Sequence, residues 1–320
     1  MKILVVRFSS IGDIVLTTPI LRCIKQQLPN TELHYLTKQN FLGVIENNRY
    51  VDKFFSIVQS VNEVVHSLKN ENYDYVIDLH NNLRTFKLKT VLSKKSFSFN
   101  KLNWEKFLLV NLKINKLPNK HIIDRFFEAI APLGIVNDGQ GLDYFIQKKD
   151  EIHIPSYLPS NFQNGYHALV VGGSYFTKQI PFNKLKEICD MSSFPLTLLG
   201  GKEDRGIAEK LQNVFRDKTI NLCGELNLNQ SASVLQQSQK VITSDTGLMH
   251  IAAALKKDII SLWGNTIPEF GMTPYLPGKN SQLLEVKELP CRPCSKLGHK
   301  KCPKEHFLCM ENINLNHIKL

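Results

Sequence analysis

Two polar turns carry the residue types that could do chemistry in this chain. The later one is Ser244-Asp245-Thr246-Gly247, between the apolar stretch Val241–Thr243 and an apolar helical pattern from Leu248 to Leu255. A helix that starts at such a turn leaves its first backbone N–H groups without intrahelical partners. Those groups and the helix dipole favour an anion, most often a phosphate. The same residues also serve as plain helix caps. The earlier turn, Arg7-Phe8-Ser9-Ser10-Ile11-Gly12-Asp13, places a carboxylate where a helix begins. A carboxylate so placed can accept a proton from a substrate hydroxyl, and it too can act as a cap.

Two further turns join them. Val171-Gly172-Gly173-Ser174 is followed by Lys178 and Pro181, and Leu199-Gly200-Gly201-Lys202-Glu203-Asp204 repeats the device. Paired glycines let backbone approach a diphosphate, and Lys178 can neutralise its charge. Either Glu203 or Asp204 can hydrogen-bond a ribose. His250 lies three residues after Gly247, on the same side of the first helical turn. Neither G-x-G-x-x-G at a strand end nor Gly-Lys-Ser/Thr is present, which counts against a dinucleotide fingerprint and a Walker loop.

The elements that must hold these turns alternate. Strand-like runs are Lys2–Arg7, Glu32–Leu36, Tyr75–Leu79, His167–Val171, Leu196–Leu199, Val241–Thr243 and Ile259–Trp263. Helical patterns are Ile14–Gln27, Val61–Lys69, Trp104–Leu112, Ile122–Ala131, Asn183–Met191, Ile207–Val214, Ser231–Gln237 and Leu248–Leu255. Repeated β-α alternation implies parallel sheets with helices on both faces. The alternation relaxes between about Gly134 and Gly165 and then restarts. The expected organisation is therefore two Rossmann-like α/β domains, residues 1–155 and 156–320, with ligands in a cleft at the carboxyl ends of their strands.

The chain has 320 residues with a 42% hydrophobic fraction, which suits real cores. No run approaches the roughly 18 apolar residues of a membrane span. The first residues read as a strand rather than a signal peptide, and three of the seven cysteines, Cys23, Cys189 and Cys223, lie in or beside apolar segments. A cytoplasmic protein is the expectation. The net charge is +11, and the stretch Arg84–Arg125 alone carries +9. Such a block favours an anionic partner or simply a soluble surface. Nucleic-acid binding is a competing reading, but aromatics among these lysines are sparse and no nucleic-acid module is recognisable, so none is expected.

Six blocks together resemble glycosyltransferase family 9, the heptosyltransferases of bacterial lipopolysaccharide synthesis. They are S-S-I-G-D-I-V-L-T-T-P (Ser9–Pro19), D-L-H-N-N-L-R (Asp78–Arg84), G-G-S…T-K-x-x-P (Gly172–Pro181), L-G-G-x-E-D (Leu199–Asp204), S-D-T-G-L-M-H-I-A-A-A (Ser244–Ala254) and W-G-N-T-x-P-E-F-G (Trp263–Gly271). The resemblance implies a GT-B fold, a nucleotide-diphosphate-sugar donor such as ADP-heptose on the C-terminal domain, and a glycolipid acceptor on the N-terminal domain. It also implies transfer with inversion and without a metal ion. Asp13 is then the catalytic base. Gly173, Ser174, Lys178, Gly201, Glu203, Asp245, Thr246, Gly247 and His250 would bind the donor, with Asp204 the alternative to Glu203. Ser10, Gly12, Arg84 and Arg125 would bind the acceptor.

An acceptor built on phosphorylated lipid A with acidic Kdo sugars is strongly anionic and suits the basic block. It places the protein, expected as a monomer, at the cytoplasmic face of the inner membrane. The stretch Trp104–Lys113, apolar with flanking lysines, can lie on a bilayer or serve as a core-facing helix of the first domain. Cys291, Cys294, Cys302 and Cys309 have a spacing compatible with zinc or a disulfide pair. No cofactor is expected. Arg292, Lys296, Lys300, Lys301 and Lys304 make acceptor binding another role for this tail.

Overall fold

A computed structural model describes residues 1–318 and 320. The chain divides into two compact units, one of residues 1–102 with 120–145, the other of residues 103–119 with 146–320. Beside the single boundary expected near 155, the chain thus crosses between units three times. No helix among the described residues is long and apolar enough to cross a membrane.

The first unit holds a five-stranded parallel sheet. Its strands are β1 (Lys2–Val6), β2 (Glu32–Lys38), β3 (Lys53–Ile57), β4 (Tyr75–Asp78) and β5 (Lys95–Ser98), in the order β3-β2-β1-β4-β5. The central strand β1 is buried from Ile3 to Val6, so both faces are apolar and the run is continuous. The pattern over Ile14–Gln27 predicts one helix; the chain forms two, Ile11–Val15 and Thr18–Gln27. Pro19 has no N–H to continue the ladder, and the Thr18 hydroxyl donates instead to the Val15 carbonyl at 2.8 Å. The Thr17 hydroxyl likewise donates to the Ile14 carbonyl at 2.7 Å. Buried Arg22, on the second helix, donates to Asp138 at 2.7 Å and to the Gly141 carbonyl at 2.7 Å, and also pairs with Asp143. That clasp fixes residues 138–143 on this unit.

The second unit holds a six-stranded parallel sheet. Its strands are β6 (His167–Val170), β7 (Leu196–Leu199), β8 (Thr219–Asn221), β9 (Lys240–Ser244), β10 (Asp258–Trp263) and β11 (Gln282–Glu285), in the order β11-β10-β9-β6-β7-β8. Its core runs from Leu169, Leu198, Ile242 and Leu262 on the strands to Leu185, Ile188 and Leu211 on the helices. Cys309, Met310, Ile313 and Leu315 of the C-terminal segment complete that core, so the tail is integral to the unit.

The segment expected as the helix Trp104–Leu112 is a short α-helix, Asn103–Phe107, followed by a π-helical turn, Leu108–Leu112. It packs on the second unit, where Leu109 meets Ile267 and Phe270.

Candidate active site

The sheet orders place every candidate turn at the carboxyl end of a central strand. β1 leads to the Asp13 turn, β6 to Gly172–Lys178, β7 to Gly200–Asp204, and β9 to Asp245–Gly247. Strand order reverses between β1 and β4 in the first sheet and between β9 and β6 in the second, so the turns after β1, β6 and β9 flank the point where open α/β sheets bind ligands, and the turn after β7 lies one strand away.

Asp13 sits in the first turn of the helix Ile11–Val15. Its Oδ2 accepts from the Ser10 backbone N–H at 3.0 Å and the Ser10 hydroxyl at 2.8 Å. Its Oδ1 pairs with the Arg7 guanidinium at 2.7 Å, and 20% of the side chain stays exposed. Burial raises the carboxyl pKa, but Arg7 and the two Ser10 bonds outweigh it and hold the group at about 2. Arg7 is itself buried and donates to the carbonyls of Ser9, at 2.9 Å, and Leu79. Sequence reasoning does not single out Arg7. A basic residue directly after β1, six positions before the acid, is the available signal. Exposed Ser10 and buried Gly12 belong to the same turn.

The block Asp78–Arg84 resolves into structural and exposed parts. Buried Asp78 pairs with Lys89 at 2.9 Å and accepts from the backbone of His80 and Asn81 at 3.0 and 2.7 Å. Asn82 caps the helix Leu83–Leu92 by accepting from the Thr85 N–H at 3.0 Å. Arg84 is left exposed on the first turn of that helix. Arg125 is different. It is 3% exposed, and its guanidinium reaches the Asn100 carbonyl at 3.4 Å. It holds an interior position of the first unit, in contrast to the surface contact expected of it.

In the second unit, Lys178 and Asp245 pair directly, Nζ to Oδ2, at 2.6 Å. The Thr266 hydroxyl donates to the same Oδ2 at 3.0 Å. Asp245 therefore aims the lysine. Thr246 caps the helix Gly247–Ala254 by accepting from the Met249 N–H at 3.3 Å, and partly exposed Gly247 opens that helix. His250 lies one turn further in and is buried. Ser174 is exposed beside partly buried Gly173, and the Gln179 amide donates to the Gly173 carbonyl at 3.1 Å.

The structure separates the two adjacent acids. Asp204 turns inward: its Oδ2 accepts from the Gly201 N–H at 2.8 Å, and burial pushes its pKa up. A Cβ on Gly172 would stand 2.1 Å from that oxygen, and one on Gly200 2.8 Å, so both glycines make room for Asp204. Glu203 points to solvent and is the acid free to meet a ligand.

The C-terminal tail buttresses these turns. The His299 N–H donates to the Thr177 hydroxyl at 2.8 Å, and the Thr177 N–H to the His299 carbonyl at 3.2 Å. Arg292 is buried and donates to the carbonyls of Thr266, at 3.0 Å, and Gly264, and pairs with Glu285 at 3.0 Å. It is an internal brace, not a surface contact for an acceptor. Lys296, Lys300, Lys301 and Lys304 remain exposed.

All seven thiols are free, so the disulfide reading of the tail is set aside. The Cys294 thiol donates to the Cys291 carbonyl at 3.0 Å, and the Cys291 sulfur lies 3.9 Å from His306 Nε2. Burial and neighbouring thiols push Cys294 up to about 11 and Cys309 to about 12. Among the described residues, the acidic and imidazole atoms of Glu32, His34 and Glu71 do converge within 4.8 Å. Lys2 already pairs there with Glu71 at 2.7 Å and Glu32 at 3.3 Å, and Lys53 pairs with Glu71, so two ammonium groups balance the two carboxylates.

Comparison with known proteins gives a consistent result. Residues 61–304 match the pattern described as "Glycosyltransferase family 9 (heptosyltransferase)". Lipopolysaccharide heptosyltransferase 1 of Campylobacter coli is 24% identical over 293 residues, covering 83% of this chain and 84% of that protein. A family 9 glycosyl transferase from Veillonella parvula superposes with a TM-score of 0.75 at 21% identity, covering 90% of this chain and 88% of the other. The ADP-heptose lipopolysaccharide heptosyltransferase II of Escherichia coli superposes with a TM-score of 0.70 at 17% identity, covering 98% of each chain. The two parallel-sheet α/β units have the fold of these proteins, GT-B.

Proposed function

The chain belongs to glycosyltransferase family 9, and from that premise we propose that it transfers heptose from ADP-heptose to the sugar core of a lipopolysaccharide acceptor, with inversion. The observation that carries the donor half is the Lys178–Asp245–Thr266 arrangement beside the open N-terminus of the helix Gly247–Ala254. A diphosphate there meets a fixed cation and unpaired backbone N–H groups together. Gly173, Ser174 and Gly201 line the approach with little side-chain bulk, Glu203 takes the ribose, and His250 stands behind the sugar-phosphate bond. The reading is supported by the lipopolysaccharide heptosyltransferases that the chain resembles over most of its length.

Chemically, the acceptor hydroxyl oxygen forms a bond to the anomeric carbon as the bond from that carbon to the diphosphate oxygen breaks. The hydroxyl proton passes to Asp13, and the nucleoside diphosphate leaves with the electron pair. A carboxyl held at about 2 is a weak base. It suffices when the sugar is oxocarbenium-like, because the attacking hydroxyl becomes strongly acidic as its bond to carbon forms. Arg7 keeps Asp13 ionised and oriented until that moment. Lys178 and the helix start stabilise the departing diphosphate, which is work a metal ion does in other enzymes, so the reaction proceeds without one. Ser10, Gly12 and exposed Arg84 face the acceptor.

The acceptor is a lipid-anchored anionic glycan, and the protein would meet it at the cytoplasmic face of a membrane. Calorimetry with ADP-heptose, ADP and UDP-sugars, followed by a transfer assay on Kdo-lipid A, tests the proposal. Tight ADP-heptose binding and product formation are expected. Binding of a UDP-sugar in preference to ADP-heptose would overturn the heptose assignment.

A further inference from the structure

The segment 103–119 is apolar on two sides. Its inner row, Leu109 with Val110 and Leu117, packs on Ile267 and Phe270. Its outer row stays uncovered: Trp104 is 66% exposed, Phe107 50%, Leu112 58% and Ile114 45%. A surface segment needs only one apolar stripe, and the opposite face is normally polar. Here the opposite face carries a stacked aromatic pair, Trp104 on Phe107, with ring centroids 5.6 Å apart and planes within 11°.

Charge says what covers this row. Lys113 and Lys116 are exposed on the same segment, with Lys106 beside them over the Phe270 ring. Lys113 also anchors the segment from below, donating to the carbonyls of Cys291 and Pro293 at 3.2 and 2.8 Å. Glu105 is the only acid between residues 103 and 119. Exposed Trp, Phe, Leu and Ile among lysines, held on a fixed base, match an anionic bilayer interface. The rings and aliphatic chains enter the acyl boundary, exposed Lys116 stays among the phosphates, and Lys106 and Lys113 add positive charge at the base of the segment.

We propose that residues 103–119 form a membrane-docking surface that inserts Trp104, Phe107, Leu112 and Ile114 into an anionic lipid bilayer. It deepens the glycolipid reading above and rests on it only for the kind of surface. Vesicle binding is measured without donor or acceptor, and transfer is measured on detergent-solubilised acceptor, so each can fail alone.

The chain has two tryptophans, and the other, Trp263, is 1% exposed. Changes in intrinsic fluorescence on lipid binding therefore report on Trp104. With the full chain and phosphatidylglycerol/phosphatidylethanolamine vesicles, flotation, a blue shift and quenching by brominated acyl chains are expected. Phosphatidylcholine vesicles should show none of these. The double substitution Trp104→Ser, Phe107→Ser should weaken flotation about tenfold or more, with the melting temperature and ADP binding unchanged. Lys116→Glu should weaken it severalfold and leave the remaining binding less salt-sensitive. No vesicle binding, binding that survives the double substitution, or equal binding to phosphatidylcholine would each overturn the proposal. A soluble protein partner captured through Trp104 in place of lipid would overturn it as well.

Discussion

The substitution Asp13→Asn separates the proposed role of this carboxyl as base from its part in the fold. The carboxyl sits at about 2 against an ordinary 3.8, held there by Arg7 and Ser10 in spite of burial. A depressed folded-state pKa stabilises the native chain above the unfolded value and loses that contribution as pH falls from about 4 toward 2. At roughly 1.4 kcal/mol per pH unit the difference corresponds to about 2 kcal/mol at neutral pH. The amide keeps the shape and can still accept the Ser10 bonds, but it leaves the buried Arg7 guanidinium without its counter-charge. Urea unfolding at pH 7 should therefore show the variant about 2 kcal/mol less stable. The gap should narrow as pH is lowered below about 4. Transfer at pH 7 should fall by about 10²–10⁴, the range of a lost general base, while ADP affinity stays within about twofold because the residues proposed to hold the nucleotide belong to the other unit. Transfer within about tenfold of the parent would refute Asp13 as the base. A stability gap independent of pH would refute the role given to Arg7.

Other outcomes follow from the donor side. Lys178→Ala should raise the donor KM or Kd about tenfold or more, measured by calorimetry with ADP-heptose, with no change in the stability profile attributed to Asp13. Glu203→Gln should weaken nucleotide binding and leave the melting temperature unchanged. Asp204→Ala should lower stability by about 1–3 kcal/mol in urea, through the lost bond to Gly201 and the space left beside Gly172 and Gly200. Incubation with a strong chelator, checked by elemental analysis of the purified chain, should leave the transfer rate unchanged. A loss restored by added zinc would give the four tail thiols a part in stability or activity.

The sequence and the structure agree best where strands are buried on both faces. The seven strand runs read from sequence are β1, β2, β4, β6, β7, β9 and β10, all internal to their sheets. The four that escaped, β3, β5, β8 and β11, are the four edge strands. Their sequences, Lys-Phe-Phe-Ser-Ile, Lys-Ser-Phe-Ser, Thr-Ile-Asn and Gln-Leu-Leu-Glu, mix charge and polarity because one side of each meets water. The helix Leu83–Leu92 escaped for a related reason: only Thr85, Leu88 and Leu92 are buried, and Arg84, Phe86 and Lys87 face out. At the site, the turns were legible because phosphate seats and caps use few residue types. What was not legible is pairing between distant positions. Arg7 with Asp13 spans six residues, Lys178 with Asp245 spans 67, and the choice between Glu203 and Asp204 depends on which side chain folds back over Gly172. No local pattern encodes the last two.

The clasp between Thr177 and His299 joins residues 122 positions apart through reciprocal hydrogen bonds. Its neighbour Gly298 adopts φ +135°, and a Cβ there would stand 2.6 Å from the Tyr175 side chain. Residues 298 and 299, translated well after the loop bearing Lys178, are therefore what locks it. During synthesis that loop stays unlatched until residues 298 and 299 arrive. A protein cut short before residue 298 would keep the Arg7–Asp13 pair intact and still lack the clasp on the loop proposed to hold the diphosphate.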